Sequence, residues 1–538
     1  MRLKKHGHEQ RKTLSCPKSD GYNFVAKRKR QPPMSKIIAI QDHFRPALPQ
    51  VLNCKDYDQE KQLLERVDQI LRLSGVERLF LELSMEQFEA NAKKLEEGGE
   101  EVVAGVRDLE RYIRHSRRAL RCTVLKNLVG VGYRKMSKGL ALTALYRWFC
   151  GCEDFGAIKV PGKSTLRDYA HWLPAEQMEK ILAALALAVG DADRAREIGL
   201  ESELDMAVAW VDTTCLKACI HFPTDWVLMR DGVRTLVKSI LVIRRHGLKW
   251  RIPEPEEFLR EINAHSMGMS AAGRRKPGGK KERKRVLRAI KKLSKLVEDH
   301  GRRYRDALDA HWSETDLTRK EAEVILRRMD NVLDQLPEAR RQAHERIIGE
   351  RQVASRDKIL SLYERDVHVI VRGKAGADVE FGNSLFLAEN AEGFIMDHEL
   401  KREMSPGDPK WLQQRYPGLK EKSGGQLCGV VTDRGFESKS NARMLERDEV
   451  FNGICPKDPK KLSRRMEEDE VFQAAMSRRS QTEGRVGILK NVFLGGTPLA
   501  KGFANRQLQV AWAVLSHNLW ILARRPWACD QQAAAEAA

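Results

Sequence analysis

Apolar side chains recur at helical spacing over long stretches of this chain and elsewhere form short strand-like runs, and the change from one to the other divides it. Leu63, Val67, Ile70 and Leu71 stand at i, i+4, i+7 and i+8, which lines them along one stripe of a helix. Helical spacing dominates from about residue 58 to 200, where the run KILAALALAV closes the region. Within it, SKGLALTALYRWF, a break from Cys150 to Gly162, and KSTLRDYAHWL predict helix, turn, helix. Ser164 or Thr165 is placed to cap the second helix, leaving Arg167, Tyr169 and His171 available to DNA. An ordinary helical hairpin with solvated charges fits the same spacing.

A second helical block, with long charged helices, lies between about 254 and 352. Val286, Ile290, Leu293 and Val297 follow i, i+4, i+7, i+11, and Ile325, Met329, Val332 and Leu336 repeat that spacing, which predicts an antiparallel pair buried stripe to stripe. From about 360 the pattern changes to strands. ADVEFGNSLFLAEN (377–390), a turn at Glu392-Gly393 and FIMDHEL read as two hairpin strands. LCGVV (427–431) and VFNGIC (450–455) supply two more strands with a helical stretch between them. MAVAWV (206–211) and LCGVV show no alternation, as expected of central strands covered on both faces. The fold class is therefore mixed α and α/β.

Charge gives the first functional direction. Lys and Arg number 96 against 75 Asp and Glu, a formal net charge of +21 with a pI near 9.5. Such an excess favours a polyanionic partner, because each neutralised phosphate releases a condensed counterion. Ribosome-associated and membrane-surface proteins share the feature. The outer face of the helix around 274–305 is crowded with Lys and Arg and could track a phosphate backbone or simply be solvated. The ten cysteines give no zinc signature: Cys150 with Cys152 and Cys215 with Cys219 lack a second ligand pair at the required spacing. MRLKKHGHEQRK is followed by no apolar segment, and Gln507–Ala523, the nearest approach to a bilayer span, is broken by Ser516, His517 and Asn518. The expectation is a reduced, cytoplasmic protein with no membrane partner. GKST at 162–165 resembles the end of a phosphate-binding P-loop, but the earlier glycine that motif needs is Ala157 here, which excludes an ATPase of that class.

Acidic residues at predicted strand ends carry the candidate chemistry. Asp212 is placed where MAVAWV stops and Asp433 one residue beyond LCGVV, the end of an α/β sheet where active sites gather. Each alone is equally a turn aspartate. The third acid, Glu483, lies in RRSQTEGRVGILK. On a helix starting near Glu467, steps of about 100° bring Met476, Arg479, Glu483 and Lys490 onto one face, so cations flank a carboxylate. Arg479 and Glu483 are also an ordinary i, i+4 pair, worth about 0.2–0.5 kcal/mol on an exposed helix. Gly484 and Gly487 each cost that helix up to about 1 kcal/mol, so the segment is not built for stability alone.

Asp212 in WVDTTC, Asp433 in VVTDRGF and Glu483 in RRSQTEGRVGILK together resemble the DDE transposases of bacterial insertion sequences. The last stretch is similar to the Tyr-x2-Arg-x3-Glu-x6-Lys pattern of one branch, with Arg479, Glu483 and Lys490 in place and Met476 where that branch has tyrosine. The resemblance covers about 206–240 and 360–525 and is general over the N-terminal helices. It implies a ribonuclease H-like catalytic domain, with Asp212, Asp433 and Glu483 as catalytic metal ligands for two Mg²⁺ or Mn²⁺ ions. It further implies cleavage at the element's ends, joining to target DNA, and a homodimer on double-stranded DNA, nucleoid-associated when bound. Arg479, Lys490 and Arg434 are then assigned to DNA phosphates near the metals, with Arg167 and Tyr169 as DNA contacts in the N-terminal region. A nuclease or resolvase of the same fold, or a domesticated DNA-binding protein with an unused centre, would carry the same residues.

The expected organisation is a basic flexible arm (1–55), a helical DNA-binding region (56–200), the first part of the catalytic domain (201–253), a charged helical insertion (254–355), the rest of the catalytic domain with its C-terminal helix (356–525) and a tail (526–538). His221 reads as a surface or capping histidine, Asp225 as the N-cap of the next helix, and Trp226 as a packing residue. Asp397, inside the hairpin, is excluded from the site.

Overall fold

Helices before the sheet, and one long helix after it, make the first core. The chain is seen in a computed structural model that describes Leu48 and residues 51–97, 105–154, 157–275, 278–374, 377–496 and 499–530. The basic arm expected at 1–55 falls almost wholly outside the described residues. The elements in order are α1 Lys55–Leu73, α2 Val76–Glu97, α3 Val106–Val129, α4 Tyr133–Leu142 and α5 Ala144–Cys150, then a ribbon of β1 Glu153–Asp154 and β2 Ala157–Ile158. After it come α6 Lys163–Tyr169, α7 Ala175–Val189 and α8 Ala192–Ile198. β3 Val208–Lys217 leads into α9 Asp225–Arg245, α10 Pro255–Arg274, α11 Gly279–His311 and α12 Arg319–Ala343. β4 His368–Lys374, β5 Ala377–Glu389 and β6 Ile395–Leu400 precede α13 Asp408–Lys422. β7 Gly429–Thr432, α14 Lys439–Arg447, β8 Phe451–Ile454, α15 Pro459–Glu468, α16 Glu470–Ile488 and α17 Phe503–Ala523 complete the chain.

A buried arginine ties the N-terminal helices together. Arg121, on α3 and 1% exposed, donates to Glu77 Oε2 at 2.6 Å, Asp68 Oδ1 at 2.6 Å and the Phe149 carbonyl at 3.0 Å, so one guanidinium links α1, α2 and α5. Removing either acid would strand a buried charge, which costs far more than the intact pair contributes. α17 explains why Gln507–Ala523 is so apolar: it is enclosed on nearly all sides, packing on α1, α3, α7 and β6. Its interrupting polar residues are satisfied internally. Asn518 accepts from Ile395 N and donates to Ile395 O, both at 2.9 Å, and Ser516 accepts from Asn127 at 3.2 Å. No helix among the described residues is long and apolar enough to cross a membrane.

The second layer is a mixed 6-stranded sheet of order β4-β5-β3-β7-β8, with β6 also pairing β5. β3 runs antiparallel to β5 and parallel to β7, and β7 runs parallel to β8 across the α14 connection. Mixed α/β architecture is thus present, and the hairpin falls at β5 and β6 as expected. β4 is an additional strand. α9 to α12 form a separate bundle with its own core, in which Val286, Ile290, Leu293 and Val297 meet Met329, Val332 and Leu336.

Several local expectations are corrected. α9 belongs to the helical bundle and not to the sheet domain, because its apolar stripe (Val233, Leu236, Val237, Ile240) faces α11 and α12. The N-cap of α9 is Thr224; Asp225 is its first residue, buried, and accepts from Gln342 and Arg346 at 2.8 Å. SKGLALTALYRWF is two helices, broken at Thr143. Gly162 caps α6, which spans seven residues, so neither Ser164 nor Thr165 does. The tail begins later than 526: Trp527 is 1% exposed, bridges to Leu200 and stacks near Arg66, which also pairs with Asp530.

This packing predicts that Trp527→Ala lowers stability by about 3–5 kcal/mol, as for other buried tryptophans. Denaturant unfolding should show that loss, while exposed Cys529→Ala should stay within about 0.5 kcal/mol.

Candidate active site

Strand parity decides which side chains share a face. Along β3, Trp210, Asp212, Thr214 and Leu216 point to the side covered by α16, and Val211, Thr213 and Cys215 to the other. Trp210 Nε1 donates to the Ala475 carbonyl of α16 at 3.1 Å, which fixes the assignment. On the far face Thr213 Oγ1 donates to Asp408 Oδ1 at 3.0 Å. Asp212 does not end its strand. β3 continues to Lys217 because Asp212 through Lys217 remain paired with Leu387 back to Gly382 of β5, after the shorter parallel partner β7 has stopped.

The parallel partner supplies the second acid. The β3–β7 ladder ends at Val211 opposite Thr432, where neighbouring strands run about 4.8 Å apart, and Asp212 and Asp433 each stand one residue further on. Asp433 keeps an extended backbone (φ −75°, ψ 175°) and accepts from Gly435 N at 2.8 Å, starting a turn of 3-10 helix at Arg434–Phe436. A Cβ at Gly435 would lie 2.9 Å from both Asp433 Oδ1 and Asp408 Oδ2, so a side chain there would displace these carboxylates.

α16 delivers the cations and the third acid. Arg479 places Nη2 3.7 Å from Asp433 Oδ2, and its buried Nε has no hydrogen-bond partner among the described residues. One turn on, Glu483 lines a cleft of about 410 Å³ with Asp212, Thr214, Lys217, Glu380 and Lys490. Lys490, in the π-helical turn Leu489–Phe493 that extends α16, donates to Thr214 Oγ1 at 3.2 Å. Asp433 does not line this cleft. Thus Asp212, Glu483 and Lys490 open on one space, and Arg479 joins Asp433 on the same face of the sheet.

The remaining DNA candidates divide. Arg434 is exposed beside Asp433. Arg167 is 59% exposed, paired with Asp168 at 3.1 Å. Tyr169 cannot reach DNA in this fold: it is 1% exposed, its hydroxyl 2.6 Å from His115 Nδ1 and its ring edge-on to Trp172. Its position on a short, buried helix, not on an exposed recognition face, is what the charge pattern missed.

Sequence reasoning also missed a set of residues beneath α16. Glu389, at the end of β5, accepts from Arg478 at 3.1 Å and from Thr482 Oγ1 at 2.9 Å, and the Arg478 guanidinium lies 4.7 Å from the Trp210 ring centre. The doublet Arg478-Arg479 was the available signal, since consecutive helical residues point about 100° apart and only one of them can face the cleft.

The donors suit a hard divalent ion: three carboxylates, one face, cations beside them. Among the described residues, however, no three Asp, Glu, His or Cys side chains stand close enough together to hold one ion. No protein-family model matches the chain, and neither the curated proteins nor the solved structures include a significant match to it.

His517 sits in the small void under α16, beside Trp210, Glu389 and Arg485. Burial, with Arg485 adding to it, pushes its imidazole down to about 4, so the neutral form is the folded one. The unfolded chain binds the proton more readily, and this contribution to stability is lost as pH falls from about 6.5 toward about 4. Urea unfolding at pH 7 and pH 4.5 should show a loss about 2 kcal/mol larger in the wild type than in His517→Gln.

Proposed function

We propose that the chain is a DNA transposase of the DDE type, acting by metal-assisted phosphoryl transfer. The observation that carries the reading is that Asp212 and Asp433 each follow the last residues, Val211 and Thr432, that pair parallel β3 with β7, under a helix whose Glu483 shares a cleft with Asp212. The mixed sheet, with its helical bundle inserted after β3, supports a ribonuclease H-like catalytic domain. The net charge of +21 supports double-stranded DNA as partner, and the resemblance to these transposases implies two copies of the chain pairing two element ends.

Asp212, Asp433 and Glu483 would hold the ions. Bound Mg²⁺ or Mn²⁺ supplies positive charge to the phosphodiester and lowers the pKa of an attacking water or 3′-hydroxyl. Lys490 and Lys217 at the cleft, with Arg479 and Arg434 beside Asp433, hold backbone phosphates by charge. Thr214, through its contact with Lys490, orients that amine toward the cleft. Asp212 is kept by its strand and Glu483 by its helix, while Asp433 stands just past the end of β7, held by its contact with Gly435 N.

The test mixes purified protein with DNA carrying the repeats that flank its gene, in Mg²⁺, and sizes the products on a denaturing gel. Nicks at the repeat boundaries and joined products are expected, and Asp212→Ala should reduce both by at least about 10²-fold. Nicking with no joined product would assign a nuclease instead. Cleavage left intact by Asp212→Ala would end the metal-site reading.

A further inference from the structure

Apolar packing alone does not place the helix that carries Glu483. α16 buries two of its 19 residues, Phe472 and Thr482, and its exposed side includes Val471 and Gly484. A helix with so little apolar surface turned inward can rotate or slide unless polar contacts hold it. Those contacts are concentrated at one point. Arg478 donates from Nε to the Ala391 carbonyl at 2.8 Å, from Nη2 to the Asn390 carbonyl at 2.8 Å, and from Nη1 and Nη2 to Glu389 Oε1 at 3.1 Å. Thr482, one turn on, donates to the same Oε1 at 2.9 Å. Glu389 is 5% exposed and lies opposite Trp210 on β3, whose ring underlies the Arg478 guanidinium.

Arg485 adds a second hold on the same turn. Its Nη1 donates to the Ala391 carbonyl at 3.2 Å, and it crosses Gly393 so closely that a Cβ there would meet Nη1 at 2.3 Å. Gly393 has φ +93°, so glycine is required by backbone conformation as well as by space. Arg478, Thr482 and Arg485 therefore bind α16 to the β5–β6 turn, and the next residue round the helix from Thr482 is Glu483.

We propose that the buried Arg478–Glu389 ion pair is the positioning element of the site. It sets the rotation of α16 over the sheet and thereby turns Glu483 toward the cleft that Asp212 lines. The proposal rests on the metal-site reading given above. Arg478 touches neither cleft nor substrate; it acts through Glu483 and is a positioning residue. A planar fork with five donors suits three acceptors grouped at the end of β5 and its turn, and a lysine cannot reproduce it.

The experiment compares Arg478→Lys, Glu389→Gln and Glu483→Gln with the wild type in the full chain. Three readouts are taken: thermal unfolding, Mn²⁺ binding by titration calorimetry, and hydrogen exchange of the 470–488 segment. Strand nicking across a Mn²⁺ series is measured beside them. Arg478→Lys should remain folded, exchange faster in that segment, bind Mn²⁺ about 10–100-fold more weakly, and regain nicking at high Mn²⁺. Glu389→Gln should shift Mn²⁺ affinity in the same direction, whereas Glu483→Gln should not regain nicking at any Mn²⁺ level. If Glu389→Gln does not fold, Arg478→Lys, which keeps the charge, carries the test. Unchanged Mn²⁺ affinity in Arg478→Lys alongside a weakened Glu483→Gln overturns the positioning role and leaves the site standing. Unchanged Mn²⁺ affinity and nicking in Glu483→Gln removes the site itself, and the positioning role with it.

Discussion

One strand with two kinds of neighbour organises this molecule. β3 pairs in parallel with β7 on one edge and antiparallel with β5 on the other. The parallel partner is short and stops at Thr432, so the chain is free to turn there and present Asp433. The antiparallel partner is long and holds β3 straight through Asp212 to Lys217. Asp212 is therefore held on a strand paired along its β5 edge, and the cleft opens on the face of that strand that α16 covers. Thr214 and Lys217, further along the same strand, furnish more of the wall.

The covering layer follows from a different balance of forces. α17 is a conventional buried helix, and its many apolar contacts join the N-terminal helices to the sheet through β6. α16 is the opposite case, held by arginines to backbone carbonyls and one buried carboxylate. Hydrogen bonds to charged groups contribute about 1.5–3 kcal/mol each and are directional, so they define an orientation that sliding apolar contacts would not. The division suits a site: the scaffold is stabilised by burial, and the helix bearing Glu483 is placed by geometry.

Much of this was legible in the sequence because periodicity reports burial. The stripe of Val286, Ile290, Leu293 and Val297 came through because it packs into one bundle core, and 377–390 came through as a strand although from Leu385 it is buried on both faces. Asp433 was found at a strand end, and the helical face joining Arg479, Glu483 and Lys490 is the face that meets the sheet edge and cleft. Other features depend on partners far along the chain. The length of β3 is set by β5, more than a hundred residues later, so no local pattern shows that Asp212 lies inside the strand. Tyr169 looked available because its neighbours are charged, yet α6 packs against α3 and encloses it. Arg478 and Arg479 are equivalent by composition and differ only in which of them the helix turns toward Glu389. The ownership of α9 likewise depends on a bundle whose other helices come later.

The central claim is that Asp212, Asp433 and Glu483 serve one ion-binding centre, and local oxidative cleavage by iron tests it most directly. Fe²⁺ that replaces Mg²⁺ generates hydroxyl radicals which cut the backbone only near its ligands. With ascorbate and peroxide, the full chain should be cut in three segments, around 212, 433 and 483, and added Mg²⁺ should suppress all three together. Cuts confined to one of these segments, or scattered elsewhere and indifferent to Mg²⁺, would contradict the account.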